Sequence, residues 1–201
     1  MQKAQIGAEE RKEKRQNAIK QLLRDSITPE EFQSILDLVK TVAFVSARKR
    51  TALLLLYCTG LRVSNLLAFS VKHIRELLDN GKTCVPLNKG GDARHPINLS
   101  LHGKKQLNQY FKSFARLMEE KENNHPFFTT QIQLDKPINR SSFDNELNKL
   151  LKKASLQLNK HIRTHSFRAT IISDLLETTP IHVVKDIMGH RNIKTTVQYS
   201  G

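Results

Sequence analysis

The sequence predicts a mostly α-helical domain with one small antiparallel β-sheet, an α+β fold. Three observations predict it. From Ser26 onward, apolar residues recur at three- and four-residue steps, the period of helices with one buried face. One stretch, "KTCVPLNKGGDARHPINLS", instead alternates apolar and polar residues on both sides of a Gly-Gly-Asp turn, as a hairpin does. The length of 201 residues, with 38% apolar content, suits one core and a short arm.

Residues 1–25 are polar and partly basic. The stretch "AEERKEKRQNAIKQLLRD" has the composition of a solvated helix, and its mixed charges make an arm or linker the expectation. The domain proper is expected over 26–201. In "SITPEEFQSILDLVKTV", Thr28 can cap, Pro29 suits the first helical position, and Glu30 and Glu31 favour a helix N-terminus. Phe32, Ile35, Leu36 and Val39 mark its buried face. "ARKRTALLLLYCTG" is a buried helix that stops at Gly60, and "LRVSNLLAFS" starts another at once. After the hairpin, "LHGKKQLNQYFKSFARLMEEK" returns to helical spacing. "NNHPFFTTQIQLDKPINRSS" is a loop, and "SFDNELNKLLKKASL" is helical. Three short helices close the chain. "THSFRATIISDLLE" starts at Thr164 and buries Phe167, Ile171 and Leu175. "TPIHVVKDIMG" has Thr179 as its cap and Gly189 as its stop. "NIKTTVQYS" follows.

The formal net charge is +14 and the pI is near 10.0, which points to a polyanionic partner, nucleic acid above all. Two cysteines, Cys58 and Cys84, without a CxxC, argue against a disulfide framework or a cysteine-built zinc site. "TALLLLYC" is too short to span a membrane, and the N-terminus has no apolar signal region.

Several polar residues stand where apolar ones would pack better. Arg62 lies two residues after Gly60. His165 and Arg168 are one turn apart on one helix face. His190 follows Gly189, Tyr199 lies nine residues on, and Lys89 is at the hairpin tip. Singly, each has a plain reading: a surface arginine, a helix-end histidine, a solvated turn lysine, a terminal packing aromatic. Together they would make a metal-free phosphate site. Arginine grips phosphate oxygens in bidentate fashion, and preorganised cations stabilise the charge of phosphoryl transfer. A phenol of pKa about 10 needs a base or cations to become a nucleophile. Lys89 can protonate a departing oxygen.

The boxes occur in a familiar order. "TGLRVSNLLAFS" resembles the first arginine box of the tyrosine recombinases, the phage integrase family. "HSFRAT" is similar to its H-x-x-R box, and "IMGHRNIKTTVQY" to its Gly-His box and nucleophilic tyrosine. "VPLNKGGDARHPINL" matches the place of its hairpin lysine, and "ITPEEFQSIL" the opening of its catalytic domain. The resemblance runs from Ser26 to Tyr199. It implies the DNA breaking-rejoining fold and double-stranded DNA as substrate. Tyr199 would form a 3′-phosphotyrosyl bond. Arg62 and Arg168 would hold the phosphate, and His190 would donate to it. His165 would act as base and Lys89 as acid. A homotetramer on two duplexes is implied, with no ATP, metal or other cofactor.

The resemblance departs in three places, one being the C-terminus, which stops two residues after Tyr199 where the family often has a longer tail that docks on a neighbouring subunit. Asn65 stands where the family usually has an acidic residue. Only the polar arm precedes residue 26, where the family usually has a helical domain that clamps the DNA, so a separate clamping partner is expected. Other readings are a DNA-binding descendant without strand exchange, a type IB topoisomerase, and a helix-turn-helix regulator built on "IHVVKDIMGHRNIKTTVQYS". A regulator has no reason to keep Arg62, Lys89, His165 and Arg168 in this order. The expected setting is the cytoplasm or nucleoid of a prokaryote or phage host, or alternatively an organelle.

Overall fold

The computed structural model describes residues 26–86 and 94–199. In chain order it contains α1 (Pro29–Asp37), α2 (Phe44–Thr59), α3 (Val63–Leu66), α4 (Val71–Asn80), β1 (Lys82–Pro86), β2 (Arg94–Asn98), α5 (Leu101–Gln109), α6 (Phe111–Met118), α7 (Arg140–Gln157), α8 (Thr164–Thr178), α9 (Ile181–Ile187) and α10 (Ile193–Val197). The helical reading of the 1–25 arm, the Gly-Gly-Asp turn and Lys89 lie outside the described residues.

The central element is α2. Leu53, Leu54, Leu55 and Leu56 are all 0% exposed, and a helix apolar on every side belongs in the core. It packs against α5, α6 and α8. Each of those leucines stabilises the fold by roughly 1.5–3 kcal/mol through burial. Gly60 ends α2 at a left-handed φ of 62°. A Cβ there would lie 2.8 Å from Met188 Cε and 3.2 Å from Ile171 Cβ. The glycine is therefore required both by the backbone and by the close approach of the last helices.

At the start of the domain, the Thr28 side chain accepts from the Glu31 N–H while the Glu31 carboxylate accepts from the Thr28 N–H, a closed capping box behind Pro29. Lys160 Nζ lies 2.7 Å from Glu31 Oε2, and the Ile27 N–H donates to Thr170 Oγ1 at 2.7 Å. These contacts pin α1 to the segment that leads into α8 and to α8 itself. The strands pair antiparallel from Lys82↔Asn98 to Pro86↔Arg94.

Four local expectations change. "LRVSNLLAFS" forms a single turn, α3, and the chain then re-caps at Ser70 to form α4, whose Val71, Ile74, Leu77 and Leu78 are buried. The helix expected from Ser142 begins at Arg140, because Asn139 Oδ1 accepts from the Ser141 and Ser142 N–H groups. Thr179 closes α8 rather than opening α9; Pro180 is the N-cap of α9 and makes no side-chain cap bond. Phe167 is fully buried, but Ile171 and Leu175 are only partly so. They border a small second cluster of Ala169, Ile172, Val184, Met188 and Tyr199.

Candidate active site

Arg168 is 2% exposed, an uncommon place for a guanidinium. Its two terminal nitrogens each donate at 2.7 Å, one to the Gly60 carbonyl and one to the Met188 carbonyl. Those carbonyls close α2 and α9, where the last turn of a helix lacks internal donors and carries partial negative charge. One arginine thus caps two helix C-termini and locks α8 to both. Burial first, and then Arg62, push its pKa down to about 10, which leaves it charged at neutral pH.

Arg62 is the exposed N-cap of α3, two residues beyond Gly60. His165 stands in the first turn of α8, and its Nε2 is 2.7 Å from the Tyr199 phenol oxygen. Burial, then Arg168 and Arg62, hold the His165 pKa below its usual value, so the ring is neutral at pH 7 and has a lone pair to offer. Tyr199 is only 5% exposed and packs in the cluster of the last three helices. Burial raises its pKa, while Arg168 and Arg62 oppose the rise. Tyr199 is therefore a packing aromatic that also touches His165.

His190 follows Gly189, whose φ is +63°. Its Nδ1 is 2.8 Å from Thr196 Oγ1, and its ring stacks near Tyr199 with centroids 6.4 Å apart. Burial, Arg168, Arg62 and His165, in that order, push its pKa down to about 4. When the Thr196 hydroxyl donates to Nδ1, the ring proton sits on Nε2, the donor that an anionic oxygen needs. Nε2 of His190 and Nε of Arg168 are both buried without a hydrogen-bond partner among the described residues.

Five of the six expected residues thus come together from α3, α8 and the α9–α10 region. Two adjoining cavities are bordered by four of them, Tyr199 lining neither. One, of 260 Å³, is bordered by Arg62, His165 and Arg168; the other, of 350 Å³, is bordered by Arg62, Asn65 and His190. Asn65 is buried, and it brings no charge to this setting. The sequence reading missed Arg140, which borders both cavities. An Asn before a helical run was the available clue, since it moves the helix start to Arg140. A larger groove of 670 Å³, lined by lysines and leucines of α7 and the α1–α2 connection, holds none of the five.

Among the described residues, no three His, Cys, Asp or Glu side chains gather as metal ligands, and no helix is long and apolar enough to cross a membrane.

Such a bed of one anchored and one exposed arginine, two neutral imidazoles and a phenol suits attack on a phosphodiester. Comparison with known proteins agrees. Residues 25–201 match the phage integrase family. The chain is 29% identical over 160 residues to tyrosine recombinase XerC of Rickettsia canadensis (strain McKiel), covering 79% of this chain and 48% of that protein. It superposes on the XerA recombinase with a TM-score of 0.66 at 21% identity, covering 88% of this chain and 58% of the other. It also superposes on XerH site-specific recombinase bound to its difH substrate in a post-cleavage complex, with a TM-score of 0.63 at 19% identity, covering 89% and 50%. The chain spans about half the length of the curated relatives it matches.

Proposed function

This chain belongs to the phage integrase family, and from that premise we propose that it cleaves and rejoins double-stranded DNA at a defined site through a 3′-phosphotyrosyl intermediate at Tyr199. The observation that carries the proposal is the 2.7 Å contact between His165 Nε2 and the Tyr199 phenol.

The phenol oxygen attacks the scissile phosphorus while its proton passes to His165 Nε2. The bond from phosphorus to the 5′-oxygen breaks, and Lys89 gives that oxygen its proton. Arg62 and Arg168 offset the charge on the non-bridging oxygens, and His190 Nε2–H donates to one of them. A 5′-hydroxyl of a second strand then reverses the step on a new partner. One phosphodiester is exchanged for another through a bond of similar energy, so the cycle consumes no nucleotide and needs no metal. Strand exchange in this reading takes place in a homotetramer on two duplexes. A DNA-clamping segment or partner supplies the remaining grip.

The test is covalent trapping. Nicked duplexes from DNA flanking the gene are mixed with wild type and with Tyr199→Phe, with and without chelator, and run on denaturing gels. A protein–DNA band in the wild type alone, unaffected by chelator, is expected. Surviving adduct in Tyr199→Phe would sink the nucleophile assignment. Salt-sensitive binding without any adduct would favour a DNA-binding descendant.

A further inference from the structure

Four arginines, Arg62, Arg140, Arg168 and Arg191, border the two cavities, and the reaction above uses two of them. Arg140, Arg62 and Ser64 are the described residues that border both spaces. Arg140 opens α7, and its side chain is 65% exposed. A cation at the first position of a helix opposes the helix dipole. Its Nε sits 3.5 Å from Asp144 Oδ2, one turn along the same helix. An exposed pair of this kind contributes little to stability. Fold stability therefore does not account for an arginine at this position.

The pair does account for an orientation. Its shortest contact runs from Nε to Asp144 Oδ2, and neither terminal nitrogen of Arg140 donates a hydrogen bond among the described residues. Asp144 is also the only carboxylate bordering either cavity among the described residues. Arg168, by contrast, already gives a hydrogen bond from each terminal nitrogen to a backbone carbonyl. Its capacity to follow a phosphate is limited by that structural duty, whereas Arg62 and Arg140 are exposed.

We propose that Arg140 is a third phosphate-binding arginine of this site, engaging the scissile phosphate or its neighbour on the cleaved strand, and that Asp144 is the positioning residue that aims it. This rests on the reading of the bed as a DNA phosphate site. Asp144 thereby supplies, from another helix, a carboxylate in a bed where Asn65 brings none.

The test uses the full chain and inorganic vanadate, an oxyanion probe that needs no knowledge of the DNA sequence. Affinity is measured by calorimetry, and the trapping rate on nicked duplex is measured in parallel. Arg140→Ala should weaken vanadate roughly ten-fold or more, the effect of losing one charge-assisted hydrogen bond. Asp144→Asn should weaken it a few-fold, with Asp144→Glu restoring affinity, which a merely structural role would not produce. Lys149→Ala, on the far flank of α7, should leave it unchanged. Vanadate affinity within two-fold of wild type in Arg140→Ala would overturn the proposal. If no variant or wild type is ever trapped on DNA but Arg140→Ala still weakens vanadate, the recombinase reading fails, and Arg140 stands as an oxyanion-binding residue with its scissile-phosphate role overturned. If wild type is trapped and Arg140→Ala matches it in both measurements, this proposal fails alone.

Discussion

Nε2 of His165 lies 2.7 Å from the Tyr199 phenol oxygen, joining positions 34 apart in sequence. The contact sets the state of both groups. Burial, then Arg168 and Arg62, keep the imidazole neutral, while burial keeps the proton on the phenol. In the proposed reaction the nucleophile forms only as the proton moves to His165. The rate of adduct formation should accordingly show an acid limb whose midpoint lies below 6.5, where His165 takes up a proton from solvent. His165→Gln should remove that limb and slow trapping by roughly 10²–10⁴-fold. Single-turnover rates from pH 5 to 8 decide it. An unchanged limb in His165→Gln would assign the titration to another group.

The two arginines should part company in stability. Arg62 is exposed, and Arg62→Ala should shift unfolding by no more than about 0.5 kcal/mol. Arg168→Ala leaves the C-terminal carbonyls of Gly60 and Met188 without their donor inside the fold. It should cost roughly 2–5 kcal/mol. Both variants should lose trapping. Urea midpoints measured beside trapping rates separate the effects. A destabilised Arg62→Ala, or an Arg168→Ala of wild-type midpoint, would contradict the structure.

Much of this was legible in the sequence, for reasons that differ by residue. The capping box at Thr28, the apolar α2, the stop at Gly60 and the paired strands each depend on neighbours a few residues away, and local chemistry wrote them. The order of Arg62, His165, Arg168, His190 and Tyr199 picked out residues that the fold brings together as the candidate site. What was not legible depends on partners far along the chain. Nothing local to "HSFRAT" indicates that Arg168 is buried, because its acceptors come from Gly60 and Met188 on two other elements. Nor does a polar tail suggest a Tyr199 that is 5% exposed. Its burial comes from Ala169, Ile172, Val184 and Met188. Helix α4 is a different case. Ser70 and the spacing of Val71, Ile74 and Leu77 are a readable pattern that the neighbouring arginine box overshadowed.

Gly60 ties the core to the site. Gly60→Ala forces a left-handed conformation on a residue with a Cβ, at roughly 1–2 kcal/mol, and drives that Cβ to 2.8 Å from Met188 Cε. Met188 is flexible and can yield; Ile171, at 3.2 Å, is stiffer. Because the Gly60 carbonyl holds Arg168, trapping should fall more than the stability loss alone would explain. Trapping rates taken where Gly60→Ala is still fully folded test the link. Wild-type rates there would show that Arg168 keeps its place when the backbone carrying this carbonyl is perturbed.

His190 should make the fold acid-sensitive. Its pKa is near 4 in the folded chain, held down by burial and then by Arg168, Arg62 and His165, against 6.5 when unfolded. Above 6.5 both states are neutral, and the group contributes no difference. As pH falls from 6.5 toward 4, the unfolded chain binds a proton that the folded chain refuses, and stability declines. Below about 4 the folded chain binds it too, and this decline ends. His165 is shifted in the same direction and adds to it. His190→Gln should remove part of the decline while retaining a polar contact to Thr196. Urea midpoints at pH 7 and pH 4.5, for wild type and variant, give the comparison. An equal fall in both proteins would mean that His190 ionises in the folded chain as freely as in water, and that the arginines beside it do not press on its charge.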